Sequence, residues 1–197
     1  MTVTRRASVT RVTSETSIEV SLYLDGVGTA EVNTGIGFLD HMLQLFAHHG
    51  RFDLAVNARG DLDVDGHHTV EDIGLALGQA LREALGDKRG ICRYGSCLLP
   101  MDEALAMVAL DLSGRPYLVH DLELGGVRIG AFEGDLVAHF FRSFANQAGL
   151  TLHIRMLAGE DPHHIVEAAF KGTARALGEA CALHGRDDAV PSTKGTL

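Results

Sequence analysis

The sequence predicts an α+β fold made by internal duplication, in which two β-β-β-α-β-α halves occupy about residues 1–90 and 91–197. Each half would supply a mixed or antiparallel four-stranded sheet, and the two sheets would pack through a central layer of helices. Two observations predict this arrangement. Hydrophobic periodicities typical of strands and helices alternate in the same order twice along the chain, and similar polar motifs recur at matching positions of both halves.

The length and composition fit a single globular domain. The chain has 197 residues, of which 46% are hydrophobic and 22% are charged, so both halves can share one core. The formal net charge of −9 disfavours nucleic acid or an anionic membrane as a partner. No apolar run reaches the roughly 20 residues of a membrane span, and we expect no signal peptide. The three cysteines form no CxxC pair, which favours free thiols in a reducing cytoplasm.

The first half begins with alternating polar and apolar residues, which predict one or two antiparallel strands that turn at Asp25-Gly26. Helical spacing then appears twice, and Gly50 and Gly86 follow the two helices as stop signals. The predicted elements are strands within 8–24, 31–33 and 52–58, and helices over 38–49 and 67–85.

The second half repeats this order with different residues. Pro162 stands at a helix start, where its missing N–H costs nothing. The tail from 187 to 197 has the chemistry of turns and loops. The predicted elements are strands at 91–99, 105–112, 117–124 and 150–157, and helices over 134–148 and from 162 to about 184.

Two His-His-x-x-Glu motifs, at 67–71 and 163–167, occupy matching places in the halves. In a helix, the first His and the Glu four positions later share a face and can bind one cation. Each motif also follows a helix that carries a matching His. The candidate metal ligands are His41, His67, His68, Glu71, His139, His163, His164 and Glu167.

These eight residues predict a pair of metal sites. The helical spacing assigns the first His and the Glu of each motif to one ion. The middle histidines, His68 and His164, would each complete the sphere of the opposite ion, and His41 and His139 would join them. Nitrogen and oxygen ligands without cysteine suit Mn²⁺, with Fe²⁺, Co²⁺ and Zn²⁺ as competitors. A single motif of this kind is most often a pair of surface histidines, but two copies at matched positions favour metal binding.

His49 lies at the end of the helix that carries His41. A cation is favourable at a helix C-terminus and needs no further role there. Because the same helix leads to the predicted site, a substrate contact is the second interpretation of this residue.

With these motifs in place, the chain resembles the imidazoleglycerol-phosphate dehydratase family over almost its whole length. The resemblance implies a hydro-lyase of histidine biosynthesis that converts D-erythro-imidazoleglycerol phosphate to imidazoleacetol phosphate. It also implies two Mn²⁺ ions per active site, and a homo-oligomer of 24 subunits with octahedral symmetry whose sites lie between subunits. The motifs that carry the resemblance are Arg11-Val-Thr-Ser-Glu15-Thr, Gly37-Phe-Leu-Asp-His41-Met, His67-His-Thr-Val-Glu-Asp72, Gly90-Ile-Cys-Arg93-Tyr-Gly, Asp111-Leu-Ser-Gly-Arg115-Pro, Asp161-Pro-His-His-Ile-Val-Glu167-Ala-Ala-Phe-Lys171 and Pro191-Ser-Thr-Lys194-Gly.

The resemblance also implies roles for residues outside the metal set. Glu15 matches the family's non-ligand acidic residue, which binds substrate and moves protons; on sequence alone it would be a strand-surface glutamate. Guanidinium groups suit the phosphate of the substrate. Lys194 lies in a tail that would close over the site when substrate binds. The matched substrate-binding residues are Arg93, Arg115, Lys171, Ser192 and Lys194.

Two other functions compete with this interpretation. A binuclear metallohydrolase would attack a phosphoester with a bridging hydroxide, but such sites usually use several bridging Asp residues, whereas His dominates here. A metal-storage or structural assembly would leave the arginine and lysine set and Glu15 without a role. With His68 and Glu71 facing different ions, we expect the helix start at 67–72 to lie at a subunit boundary.

Overall fold

The computed structural model describes residues 4–184 and 189–197. The predicted loop from 187 onward therefore lies partly outside the described residues, and its described part, 189–197, consists of bends and turns. The elements are β1 (Arg6–Val12), β2 (Thr16–Tyr23), β3 (Ala30–Asn33), α1 (Gly37–Gly50), β4 (Asp53–Gly60), α2 (His67–Leu85), β5 (Tyr94–Met101), β6 (Ala104–Asp111), β7 (Tyr117–His120), β8 (Arg128–Ile129), β9 (Phe132–Glu133), α3 (Asp135–Ala148), β10 (Thr151–Ala158) and α4 (Pro162–Cys181).

The two halves build sheets of the same topology. Sheet one has the strand order β1-β2-β4-β3, and sheet two has the matching order β5-β6-β10-β7. In each sheet the first two pairs of neighbouring strands are antiparallel and the last pair is parallel. The predicted α+β fold with two four-stranded sheets is confirmed, because the same alternation of periodicities produces the same sheet twice.

The four helices form the layer between the sheets. Helix α2 packs on β1 and β2, and α4 packs on β5 and β6. Across the two halves, α2 packs against α3 and α1 against α4, so one continuous apolar core joins both sheets. Glycines bring α2 and α3 close together, since a Cβ at Gly78 would lie 2.5 Å from the carbonyl oxygen of Phe144.

Three details of the strands differ from the sequence prediction. The first two strands turn at 13–15, where the Thr13 hydroxyl oxygen accepts the N–H groups of Glu15 and Thr16. Asp25-Gly26 instead follows the end of β2. Strand β7 ends at His120, short of the predicted 124, and the short hairpin β8–β9 was not predicted. Two-residue strands carry too little sequence to show a periodicity.

None of the helices in the described part of the chain is long and apolar enough to cross a membrane.

Candidate metal and substrate site

All eight candidate ligands lie at one end of the helical layer. His67 and His163 stand at the starts of α2 and α4, while His41 and His139 lie early in α1 and α3. The starts of α1, α2 and α3 are adjacent. Gly66, just before α2, lies so close to its neighbours that a Cβ there would be 3.2 Å from Leu136 of α3 and 3.4 Å from Ile36, just before α1.

An aspartate two positions before each motif fixes the helix start. Asp65 accepts the backbone N–H of His67 at 2.7 Å, and Asp161 accepts that of His163 at 2.8 Å. Each bond satisfies one of the unpaired N–H groups of the first turn. Asp161 is the N-cap of α4, whereas Asp65 stands one residue before Gly66, the N-cap of α2.

The first cluster of candidate ligands is His41, His163 and Glu167. The Glu167 Oε2 atom lies 3.1 Å from Nε2 of His163 and 3.5 Å from Nε2 of His41. Ligand atoms of all three residues lie within 4.8 Å of one another. Two imidazole nitrogens and a carboxylate oxygen at this separation fit a transition-metal ion. Because His41 belongs to α1 and the other two to α4, the cluster joins the two halves.

His67 and His139 are a further pair of candidate ligands that lie close together. The rings of His67 on α2 and His139 on α3 have centroids 4.5 Å apart, and Glu71 follows His67 by one helical turn. Within the described residues, only the cluster around Glu167 brings three ligand atoms within 4.8 Å. The histidine on the helix before each motif therefore pairs with the motif of the opposite half: His41 with His163, and His139 with His67.

His68 and His164 face carboxylates. Nδ1 of His164 lies 2.7 Å from Glu103, and Nδ1 of His68 lies 2.9 Å from Asp61. The side-chain hydrogen bond to Asp61 is the main reason that the pKa of His68 is raised, and Glu103 raises the pKa of His164 in the same way. Among the described residues of one chain, neither histidine belongs to the cluster around Glu167.

The environment of Glu167 keeps its carboxylate charged. Burial favours the neutral acid. The hydrogen bond from Lys171, its charge, and the contacts with His163 and His41 together outweigh burial, so the pKa of Glu167 is lowered. Lys171 forms an ion pair with Oε1 of Glu167, which leaves Oε2 toward the two histidines. Burial, and then the charge of Lys171, lower the pKa of His49.

Glu15 lies on the β1–β2 turn with its side chain half exposed, and its Oε2 atom is 3.8 Å from Nδ1 of His68. The turn is tied to α2 by the buried Asp72, which accepts hydrogen bonds from Arg11 at 2.7 Å and from Thr16 at 2.5 Å. Glu15 therefore has a fixed backbone, and His68 is the one charged partner of its carboxylate among the described residues.

The predicted phosphate-binding residues lie around the end of β6. Arg93 forms two hydrogen bonds with Asp111, at 2.7 and 3.1 Å, and donates a third to the carbonyl of Pro191 at 2.9 Å. The guanidinium group of Arg115 lies 3.8 Å from the same Asp111 carboxylate, and its side chain is 70% exposed. Ser192 accepts the backbone N–H of Lys194 at 3.2 Å, so the tail reaches this end through Pro191.

The metal ligands and the phosphate-binding residues occupy opposite ends of sheet two. His164 is held by Glu103, immediately before the first residue of β6, whereas Asp111 is its last residue. Eight residues of strand span roughly 23 Å. A single chain therefore does not bring the two groups of residues together.

Four carboxylates that shape this region were missed by sequence reasoning: Asp61, Asp72, Glu103 and Asp111. A signal existed for Glu103, since it precedes β6 as Glu15 precedes β2. Asp72 and Asp111 lie inside the motifs that define the resemblance, but their partners Arg11, Thr16 and Arg93 are remote in sequence.

Comparison with known proteins gives a consistent result. Residues 34–177 match the family model described as imidazoleglycerol-phosphate dehydratase. The chain is 57% identical over 193 residues to the imidazoleglycerol-phosphate dehydratase of Citrifermentans bemidjiense, covering 98% of this chain and 99% of that protein. It is 57% identical over 194 residues to that of Dinoroseobacter shibae, covering 98% of this chain and all of the relative.

Solved structures of imidazoleglycerol-phosphate dehydratases show the same fold. The crystal structure from Staphylococcus aureus matches with a TM-score of 0.82 and 41% identity, covering 90% of this chain and 99% of that one. The crystal structure from Pyrococcus furiosus matches with a TM-score of 0.83 and 40% identity, covering 96% of this chain and 100% of that one.

Proposed function

The chain belongs to the imidazoleglycerol-phosphate dehydratase family and is a lyase of histidine biosynthesis; from this premise we propose a Mn²⁺-dependent dehydration at the helix starts. The substrate is D-erythro-imidazoleglycerol phosphate and the product is imidazoleacetol phosphate. The observation that carries the proposal is the cluster of His41, His163 and Glu167 within 4.8 Å. The free thiols Cys92, Cys97 and Cys181 favour a cytoplasmic location.

Two Mn²⁺ ions per active site fit the available donors. Imidazole nitrogens and carboxylate oxygens, without thiolates, suit Mn²⁺ among the divalent ions. His163 and Glu167 would hold one ion with His41, and His67 and Glu71 the other with His139. The middle histidines would complete these spheres from a neighbouring subunit. Bound metal supplies positive charge that stabilises the negative charge developing on the imidazole of the substrate.

Glu15 is the proposed acid/base residue, and a comparison with Glu103 supports it. Both glutamates precede the second strand of their sheet, beside a middle histidine. The backbone N–H of Asp161, then His164 and the N–H of Glu160, donate hydrogen bonds to Glu103, so its pKa is lowered to about 2 and it is a poor base. Glu15 has no such backbone partners in the described chain. Its carboxylate is thus available to take the weakly acidic carbon-bound proton.

The phosphate of the substrate would bind to Arg93, Arg115, Ser192 and Lys194. Arg93 is held in place by Asp111, whose hydrogen bond raises the pKa of the guanidinium group, and it keeps N–H donors to spare. The more exposed Arg115 donates one long hydrogen bond, to the carbonyl of Ser113 at 3.5 Å, and keeps further N–H donors that suit phosphate. Lys171 lies beside Glu167, and its charge acts on His49; both residues would contact the substrate.

Self-association would complete the site, because the phosphate-binding and metal-binding groups lie at opposite ends of sheet two. The outer face of this sheet supports such contacts. It exposes large apolar side chains at Tyr94, Leu98, Met107, Tyr117 and Leu157, as interface surfaces often do. We propose that the chain assembles into the 24-subunit octahedral homo-oligomer, with each active site shared between subunits.

One assay separates this function from its competitors. The purified protein is given Mn²⁺ and imidazoleglycerol phosphate, and both the ketone product and inorganic phosphate are measured. Ketone without free phosphate supports the dehydratase. Free phosphate would instead indicate a hydrolase, and neither product, with metal bound, would indicate a storage assembly.

A further inference from the structure

We propose that Glu103 and Asp61 are positioning residues that make His164 and His68 present Nε2 to a metal ion. Each carboxylate would hold the N–H on Nδ1 of its histidine and fix the orientation of the ring. The inference rests on the proposed function, because it takes both histidines as metal ligands.

The same contact occurs in both halves with different residues. Glu103 lies 2.7 Å from Nδ1 of His164, and Asp61 lies 2.9 Å from Nδ1 of His68. An ionised carboxylate only accepts hydrogen bonds, so the proton of a neutral imidazole is placed on Nδ1 and the lone pair on Nε2. A metal ion requires that lone pair. Carboxylates beyond the ligand shell commonly orient metal-binding histidines in this way.

The origin of the two carboxylates makes a chance contact a poor explanation. Glu103 comes from the β5–β6 turn, whereas Asp61 comes from the loop after β4. These are different places in the repeat, yet both carboxylates reach Nδ1 of the corresponding histidine. The two halves therefore share the contact between a carboxylate and Nδ1, although the carboxylate comes from a different position in each half.

The two carboxylates differ in how firmly they are held. The Oε1 atom of Glu103 accepts the N–H groups of Glu160 at 3.1 Å and Asp161 at 2.8 Å, which leaves Oε2 for His164. These bonds tie the β5–β6 turn to the start of α4. The second oxygen of Asp61 is buried and has no hydrogen-bond partner among the described residues. We therefore infer that His164 is the better oriented ligand of the two.

Two isosteric variants test the proposal by metal affinity. In Glu103→Gln or Asp61→Asn, the amide can donate to Nδ1 and shift the ring proton to Nε2, which blocks that atom. The metal-free protein is titrated with Mn²⁺ alone, and binding is measured by calorimetry. Each variant should weaken one class of sites by about 10–100-fold, with the larger loss for Glu103→Gln. The matched control is Asp63→Asn, at an exposed aspartate two residues after Asp61.

A further variant separates failure of the inference from failure of the proposed function. If His164→Ala binds as much Mn²⁺ as the unmodified protein, His164 is not a ligand and the proposed metal site is wrong. If His164→Ala loses metal while both isosteric variants bind Mn²⁺ normally, the positioning role is overturned. A lower thermal midpoint with unchanged Mn²⁺ affinity would also overturn it, since that result indicates a purely structural bond. Asp61→Asn keeps the test usable should Glu103→Gln fail to fold.

Discussion

Matching residues of the two halves carry different chemistry because their neighbours differ. Glu167 is paired with Lys171 one turn later, whereas the residue one turn after Glu71 is Leu75. The lysine neutralises part of the charge at the cluster with His41 and stabilises the ionised carboxylate. The two proposed metal sites are therefore electrostatically unequal, although the backbone around them is repeated.

Removing one histidine of the Glu167 cluster should remove its metal ion. We expect His163→Ala to lose one ion per site and to reduce kcat at least about 100-fold, since even a residue behind the ligand shell contributes 10–100-fold. Metal content by mass spectrometry and the rate of ketone formation measure this. His184→Ala, at an exposed histidine beyond α4, is the control. Full activity with full metal content in His163→Ala would contradict the paired-site arrangement.

Asp53 gives a residue-scale prediction about pH. Its Oδ1 atom accepts the Thr29 hydroxyl and the backbone N–H groups of Val27, Gly28 and Thr29. The Thr29 hydroxyl and then these backbone groups lower its pKa from 3.8 to about 2. A lowered pKa adds stability that is present above pH 3.8 and is lost as the pH falls through 2.

Asparagine keeps the accepting oxygen but loses the charge, so Asp53→Asn should lower the free energy of unfolding by about 1 kcal/mol at neutral pH. The difference from the unmodified protein should shrink as the pH falls from 4 toward 2. Thermal midpoints measured across this pH range test the prediction. Asp63→Asn, in an exposed loop, should show no such trend, and a constant difference at all pH values would contradict the role of the Asp53 charge.

Packing between helices sets the positions of the ligands at the level of elements. His67 and His139 meet because α2 lies close to α3, and Gly74 and Gly78 permit that approach. At Gly74 a Cβ would lie 2.8 Å from the carbonyl oxygen of Phe140. These atoms are backbone, which cannot move without displacing α3.

Gly78→Ala should force α2 and α3 apart. Alanine is the better helix former, but its Cβ would lie 2.5 Å from a backbone oxygen, so we expect a net loss of about 1–3 kcal/mol and weaker metal binding. Chemical unfolding and Mn²⁺ titration measure the two effects. Gly37→Ala is the matched control, because its Cβ would meet nothing within 4 Å. Equal stability of both variants would contradict the close-packing explanation.

The two sheets present different outer surfaces at the level of the whole molecule. The outer face of sheet one is lined by polar residues such as Ser8, Glu19 and Asn57, whereas that of sheet two exposes the apolar set from Tyr94 to Leu157. Exposed apolar surface of this extent favours burial against another chain. The metal-binding and phosphate-binding residues lie at opposite ends of sheet two. A neighbouring subunit that packs on the outer face of this sheet would therefore complete the site.

Sharing of sites between subunits predicts complementation in mixed assemblies. Glu15→Gln and Arg115→Ala should each be inactive alone, but co-assembly in equal amounts should restore roughly a quarter of the sites, because some sites then draw both intact residues from different chains. Ketone formation by co-expressed, doubly tagged protein measures this. Glu15→Gln with His68→Ala is the control, since these residues lie 3.8 Å apart in one chain. No recovery in the first mixture would contradict shared sites.

Much of the fold followed from local patterns in the sequence. The bounds of α2 were predicted at His67 and Leu85, because amphipathic spacing and the flanking glycines Gly66 and Gly86 act over a few residues. The repeated strand and helix order likewise predicted two sheets of one topology. The hairpin β8–β9 and the β1–β2 turn were missed, since one is too short for a periodicity and the other turns on a threonine hydroxyl without Gly or Pro.

The sequence by itself determined which residues are candidate ligands, because helical spacing places His163 and Glu167 on one face and the duplication marks the same motif in the other half. Only the tertiary structure decided their partners. His41 meets His163 across the halves, Glu103 reaches His164 from another turn, and the phosphate-binding residues lie at the far end of the sheet. Spacing along a helix acts within a few residues, whereas these contacts depend on how the four helices and the two sheets pack together.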